Sequence, residues 1–86
     1  MVMDEKIKKT MRSIATIVER RRSELGYSQI KLAEIAGISR TYVSDVERAR
    51  RNLSVSTLIR LASALNCDAS RLLQEAESTS QDESLN

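Results

Sequence analysis

Apolar residues recur along the chain at three- and four-residue steps, interrupted at intervals by serine, glycine and asparagine. That period marks amphipathic helices, and five are predicted. The first begins at Asp4 or Glu5 and runs to Leu25, with Ile7, Met11, Ile14, Val18 and Leu25 on one stripe and Gly26 placed to end it. Little of residues 1–10 is apolar, so its opening turns are expected to fray or project. The second opens on Ser28, whose hydroxyl can accept a hydrogen bond from an amide one turn in, and buries Leu32, Ala33 and Ala36 before stopping at Gly37. Ser39 caps a third helix running from Arg40 to about Arg48, with Val43, Val46 and part of Tyr42 inward.

Residues 49–53 read as a basic loop. Ser54 caps the fourth helix, whose predicted buried face is Val55, Leu58, Ile59, Ala62 and Leu65. Leu61 lies partly off that stripe and is marked as a candidate interface residue. Asn66 can take the positive φ that ends a helix without glycine. A last short helix starts near Asp68 and carries Leu72 and Leu73. From Glu77 onward only one apolar residue interrupts Ser, Thr, Gln, Asp and Glu, so 78–86 is expected to be a disordered polar tail.

Composition narrows the class without naming a function. The 86 residues suit one domain, taken as 1–77, and the absence of proline with only two glycines favours an all-α chain. No apolar run approaches the ~18 residues of a membrane span, and the opening residues lack the apolar core of a secretory signal. The single cysteine, Cys67, forbids an intrachain disulfide and suits a reducing, cytoplasmic setting. It reads as a structural thiol, since a lone cysteine in a chain without histidine has no partner ligands for a metal. The missing histidine, together with the lack of a phosphate-cradling glycine loop, speaks against an enzyme, and no cofactor is implied. Net charge is +2, yet the tail holds Asp82 and Glu83 and no base, so the remainder is more basic than that figure. A basic helical domain is consistent with a polyanionic partner, as it is with a solvated face.

The segment 28–48 carries the sharpest signal. Two short helices separated by Gly37-Ile38-Ser39 must cross steeply. Glycine permits the turn, Ile38 can fill the angle, and the small Ala33 lets the helices approach. Spacing alone leaves a generic helical hairpin and a helix-turn-helix equally open. The outward face of the third helix decides between them. Arg40, Thr41, Ser44, Asp45 and Arg48 are short polar groups flanked by arginine, the kind of side chains that read base edges in the major groove.

Through the runs Ser28-Gln29-Ile30-Lys31-Leu32-Ala33, Ala36-Gly37-Ile38-Ser39, Tyr42-Val43-Ser44 and Glu47, residues 12–75 resemble the Cro and phage-repressor (Xre-like) type of helix-turn-helix family. Arg40-Thr41-Tyr42-Val43-Ser44 with Glu47-Arg48 and Arg51-Asn52-Leu53 looks most like the controller proteins of restriction–modification systems. The resemblance implies a five-helix, lambda-repressor-like DNA-binding domain. It implies a regulator that binds a palindromic operator as a homodimer and activates or represses transcription, with RNA polymerase as a further partner. A phage-type repressor and an antitoxin-like adaptor with the same fold are the alternatives.

The resemblance also assigns residues. Gln29 would bond a DNA phosphate at a helix N-terminus. Arg40, Thr41 and Ser44 would face the groove, while Tyr42, Arg48, Arg51 and Asn52 would hold phosphates and set the register. Arg22 and Glu47 would form a structural ion pair. Asp45 would either accept from cytosine N4 or point past the bases. The half from 54 to 77 would pair two copies through Leu61, Leu65, Leu72 and Leu73. Ile30 and Ile35 depart from the family pattern, standing where relatives often carry polar groups.

Overall fold

A computed structural model describes the backbone of residues 2–85 and the side chains of residues 5–78. Five helices follow one another: α1 Val2–Glu24, α2 Gln29–Ala36, α3 Arg40–Glu47, α4 Val55–Ala64 and α5 Ala69–Leu85. Their starts obey the serines. Ser28 Oγ accepts from the Lys31 amide at 3.0 Å, Ser39 Oγ from Tyr42 at 3.1 Å and Ser54 Oγ from Thr57 at 3.1 Å. Each bond satisfies one of the orphan amides of a helix's first turn.

Four of the helices end alike. Gly26, Gly37, Ala49 and Asn66 all have positive φ, from 55° at Ala49 to 74° at Gly26. The amide of the following residue turns back to a carbonyl of the last helical turn, as in Tyr27 N to Arg22 O and Ile38 N to Ala33 O, both at 3.0 Å. Ala49 is the odd member, because its Cβ crowds the carbonyl in this region and costs about 1–2 kcal/mol. Ala49→Gly is therefore expected to stabilise the fold by about 1 kcal/mol, after the greater freedom of unfolded glycine is offset. Thermal unfolding would show this as a rise of about 4–8 °C, and a fall would mean that the alanine is not strained.

The core forms where all five helices converge. Ile14, Ile17 and Val18 of α1 meet Leu32 and Ala36 of α2, Val43 and Val46 of α3, Leu61, Ala62 and Leu65 around α4, and Leu72 and Ala76 of α5. The longest packing runs between α1 and α5. Two arginines of α1 also clamp Glu75 of α5, with Arg20 Nη2 at 2.6 Å and Arg21 Nη2 at 3.2 Å. Burial pushes the Glu75 carboxyl up, but the Arg20 hydrogen bond and the Arg21 charge outweigh it and hold its pKa below the usual range.

Three expectations change here. The first helix starts at Val2, although Ile7 at its open end is 46% exposed. The last helix runs on to Leu85 through the stretch expected to be disordered. Nothing in 69–85 is a proline or glycine, so a helix anchored by Leu72 and Ala76 meets no breaker. The third correction concerns α4. Leu61 is fully buried and Leu65 and Leu72 nearly so, while Val55 is 73% and Ile59 53% exposed. Leu61, Leu65 and Leu72 thus belong to the core of one protomer and cannot meet a second copy. Leu73 alone of the four stays half-buried at the surface.

Candidate nucleic-acid interface

The α2–α3 unit is held from behind by an ionic knot. Glu47, the last residue of α3, has a side chain only 4% exposed. Arg22 of α1 grips it with two bonds, Nε to Oε2 at 2.7 Å and Nη2 to Oε1 at 3.1 Å. The remaining Arg22 nitrogen, Nη1, donates to the Tyr27 carbonyl at 2.8 Å. Gln29, first residue of α2, donates Nε2 to Glu47 Oε1 at 3.0 Å. One carboxylate therefore joins the end of α1, the start of α2 and the end of α3. The Glu47 hydrogen bond raises the Arg22 pKa above its ordinary value against the opposing effect of burial, so the guanidinium keeps its charge. Gln29 keeps its second N–H for another acceptor while its orientation is set by Glu47.

The outward side of α3 presents what the sequence listed there, with one change. Arg40, Thr41 and Arg48 are exposed and Ser44 is half-buried. Asp45 is engaged. Its Oδ2 accepts from Arg51 Nε at 3.3 Å and from Nη2 at 3.2 Å. The same guanidinium lies over the Tyr42 ring, 4.6 Å from its centroid. Asp45, Tyr42 and Arg51 thus form one unit, and Arg51 is pre-set against α3 rather than free in the loop. This arrangement was not foreseen, because nothing in a six-residue separation across an irregular loop marks two side chains as partners. Asn52 is exposed beyond it, as is Arg50, which the resemblance had not singled out.

The turn itself is tight because it pivots on a glycine. Gly37 has φ 71°, and a Cβ there would stand 3.0 Å from Arg60 Nη1. That arginine tip can move, so backbone conformation is what requires glycine. Ile38 packs against the core from the angle between the helices, as expected. Ile30 and Ile35 point outward at 57% and 45% exposure and leave an apolar spot on α2. Cys67 is half-buried away from this face, and burial pushes its thiol pKa up. No helix among the described residues is long and apolar enough to cross a membrane.

Comparison with known proteins gives a consistent picture. Control protein C.SmaI of Serratia marcescens is 56% identical over 46 residues, 54% of this chain and 55% of its own. The crystal structure of the restriction-modification controller protein C.AhdI from Aeromonas hydrophila matches with a TM-score of 0.69 at 34% identity, covering 72% of this chain and 94% of that one. SinR, described as the master regulator for biofilm formation and solved in complex with DNA, matches with a TM-score of 0.66 at 34% identity, covering 70% of this chain and 97% of that one. The chain spans 55%, 38% and 45% of the length of three curated relatives it matches. A family model described as Helix-turn-helix matches residues 17–72, which take in the Glu47 knot, the Gly37 turn and most of the core. The chain belongs to the helix-turn-helix family.

Proposed function

We propose that the protein is a sequence-specific transcriptional regulator that binds a palindromic operator as a homodimer in the cytoplasm, acting as a restriction–modification controller. The observation that carries this reading is the outer face of α3. Arg40 and Thr41 are exposed and Ser44 half-exposed on a helix, capped by the exposed Arg48, whose angle is fixed by Gly37 and by the Glu47 knot. Likeness to C.SmaI and C.AhdI supports the controller role, and that to SinR solved with DNA supports duplex binding. When the protein activates, RNA polymerase is the further partner.

Roles divide along the site. Arg40 donates to guanine O6 and N7, with Thr41 and Ser44 close to the bases. Gln29, Tyr42, Arg48, Arg51 and Asn52 hold phosphates. Asp45 serves by holding Arg51. The pairing surface is centred on Val55 and Ile59, the large apolar side chains that α4 leaves most exposed, with the half-buried Leu58 and Leu73 near Val55. Two copies joined there place two α3 helices about one DNA turn apart.

A gel shift against genomic fragments and random duplex across a salt series tests the reading. Binding no tighter to any fragment than to random DNA would sink it. Arg40→Ala is expected to cost about 1–3 kcal/mol of binding and to relax preference at one base pair. Arg51→Ala should weaken all sequences alike, and by more than one phosphate contact, because it unmasks Asp45 beside the duplex. Adding Asp45→Ala should then restore part of the loss. Equal effects of Arg40→Ala and Arg51→Ala on every sequence would overturn this division of roles.

A further inference from the structure

We propose that the groove between the first half of α1 and the α3–α4 loop is a second DNA-backbone site, in which Lys8 and Arg12 hold phosphates flanking the stretch read by α3. The inference rests on the DNA-binding reading and extends the contact surface to a helix that neither the motif nor the resemblance assigns to DNA.

The groove measures about 410 Å³ and has five cations in its lining, Lys8 and Arg12 from α1 and Arg48, Arg50 and Arg51 from the loop side. Among the described residues, no carboxylate lines it. Lys8 and Arg12 are four residues apart and so share one face of α1. Among the described residues, ion pairs occupy Arg20, Arg21, Arg22 and Arg51, while Lys8, Arg12, Arg48 and Arg50 enter none. A cluster of like charges weakens the fold by self-repulsion unless a polyanion relieves it. The floor includes Ile7 and Met11, along which the aliphatic stems of Lys8 and Arg12 can lie with their charged heads outward.

Position selects a duplex over an acidic protein. Arg48 is the C-cap of α3, and Arg51 is bound to Asp45 and stacked on Tyr42 of the same helix. The groove therefore opens from the end of the reading helix, and a strand leaving α3 along the loop enters it. Double-stranded DNA supplies one charge per roughly 1.7 Å, which suits an array of cations better than a single acidic side chain would. The site also gives the open end of α1 a use. Core contacts on α1 begin around Met11 and Ile14, so the turn that carries Lys8 adds little to folding.

The full chain carrying Lys8→Gln and Arg12→Gln tests this, using the tightest duplex selected from random sequence. The melting point should not fall, since among the described residues neither side chain enters an ion pair and removing two like charges lessens the repulsion in the groove. The slope of log affinity against log salt should flatten by about 1.8 per protomer, at roughly 0.9 per phosphate contact. Between 50 and 200 mM salt, wild type should then lose about tenfold more affinity per protomer than the variant. Discrimination between selected and scrambled duplex should stay the same. Arg71→Gln, a charge removed from α5 beyond the groove, should leave the slope as in wild type. An unchanged slope in the double variant, or an equal change in Arg71→Gln, overturns the site while leaving DNA binding intact. Failure of the wild-type chain to prefer any duplex would instead overturn the DNA reading on which the site rests.

Discussion

Replacing Glu47 with alanine is expected to destabilise the fold by about 3 kcal/mol, close to the lower end for breaking a buried pair by removing one partner. The reasoning starts from what is left behind. Arg22 would keep its charge and its bond to the Tyr27 carbonyl, yet lose both short contacts to the carboxylate. Gln29 would lose its anchor in the same step. A side chain 16% exposed, as Arg22 is, still reaches some water, which keeps the cost near the lower end of that range. Domains of this size have a margin of about 4–13 kcal/mol, so the loss is a large share of it. Circular dichroism should show the melting midpoint fall by about 12–24 °C. Glu47→Gln should cost less, because an amide can still accept from Arg22. Binding of the selected duplex by Glu47→Ala, measured well below its midpoint, should also weaken through the released Gln29. A melting point within a few degrees of wild type would mean that the knot contributes little and that Glu47 is no more than a surface acid.

How much of this was legible in the sequence depended on whether a residue type has one local meaning. Ser28, Ser39 and Ser54 each precede an apolar run, and a serine there has one efficient use, so the three helix starts were readable to the residue. Gly26, Gly37 and Asn66 were readable as ends for the same reason. Ala49 was not, because alanine carries no mark of a left-handed conformation and its strain is visible only in the backbone. The Arg22–Glu47 pair entered through family resemblance alone, since no local rule links residues 25 apart. That Gln29 joins it, and that Arg51 reaches back to Asp45, depends on how α2 and the loop fold over α3. The inward face of α4 failed for another reason. Val55, Leu58, Ile59, Leu61, Ala62 and Leu65 spread over nearly half its circumference, wider than one buried stripe, so two overlapping stripes both fit the three-and-four spacing. Only the neighbours settle which is inside. Contacts with α2 and α5 bury Thr57, Leu61, Ala62 and Ala64 and turn Val55 and Ile59 outward.

That rotation of α4 sets up two substitutions with opposite expected outcomes. Leu61→Ala removes a fully buried side chain from the centre of the core, where neighbours from other helices close around it. Lost transfer energy plus the cavity left behind should cost about 2–5 kcal/mol of stability. Whatever remains folded should still pair, because the outer face of α4 is untouched. Ile59→Lys places a charge on a residue 53% exposed, which a free protomer tolerates to within about 0.5 kcal/mol. On the proposed pairing surface, however, each lysine would have to be desolvated against Val55 and the like-charged lysine of a second copy, and the dimer should dissociate. Sedimentation should then report a monomer, and the melting point should cease to depend on protein concentration, as it does for any fold stabilised by self-association. Affinity for a full operator should collapse toward that of one half-site, with base preference retained, because Arg40, Thr41 and Ser44 lie on a different helix. If instead Leu61→Ala dissociated a dimer without loss of stability, the assignment of Leu61 to the core of one protomer would fail. A dimer that survives Ile59→Lys would move the pairing surface away from α4 altogether, and with it the spacing of the two reading helices.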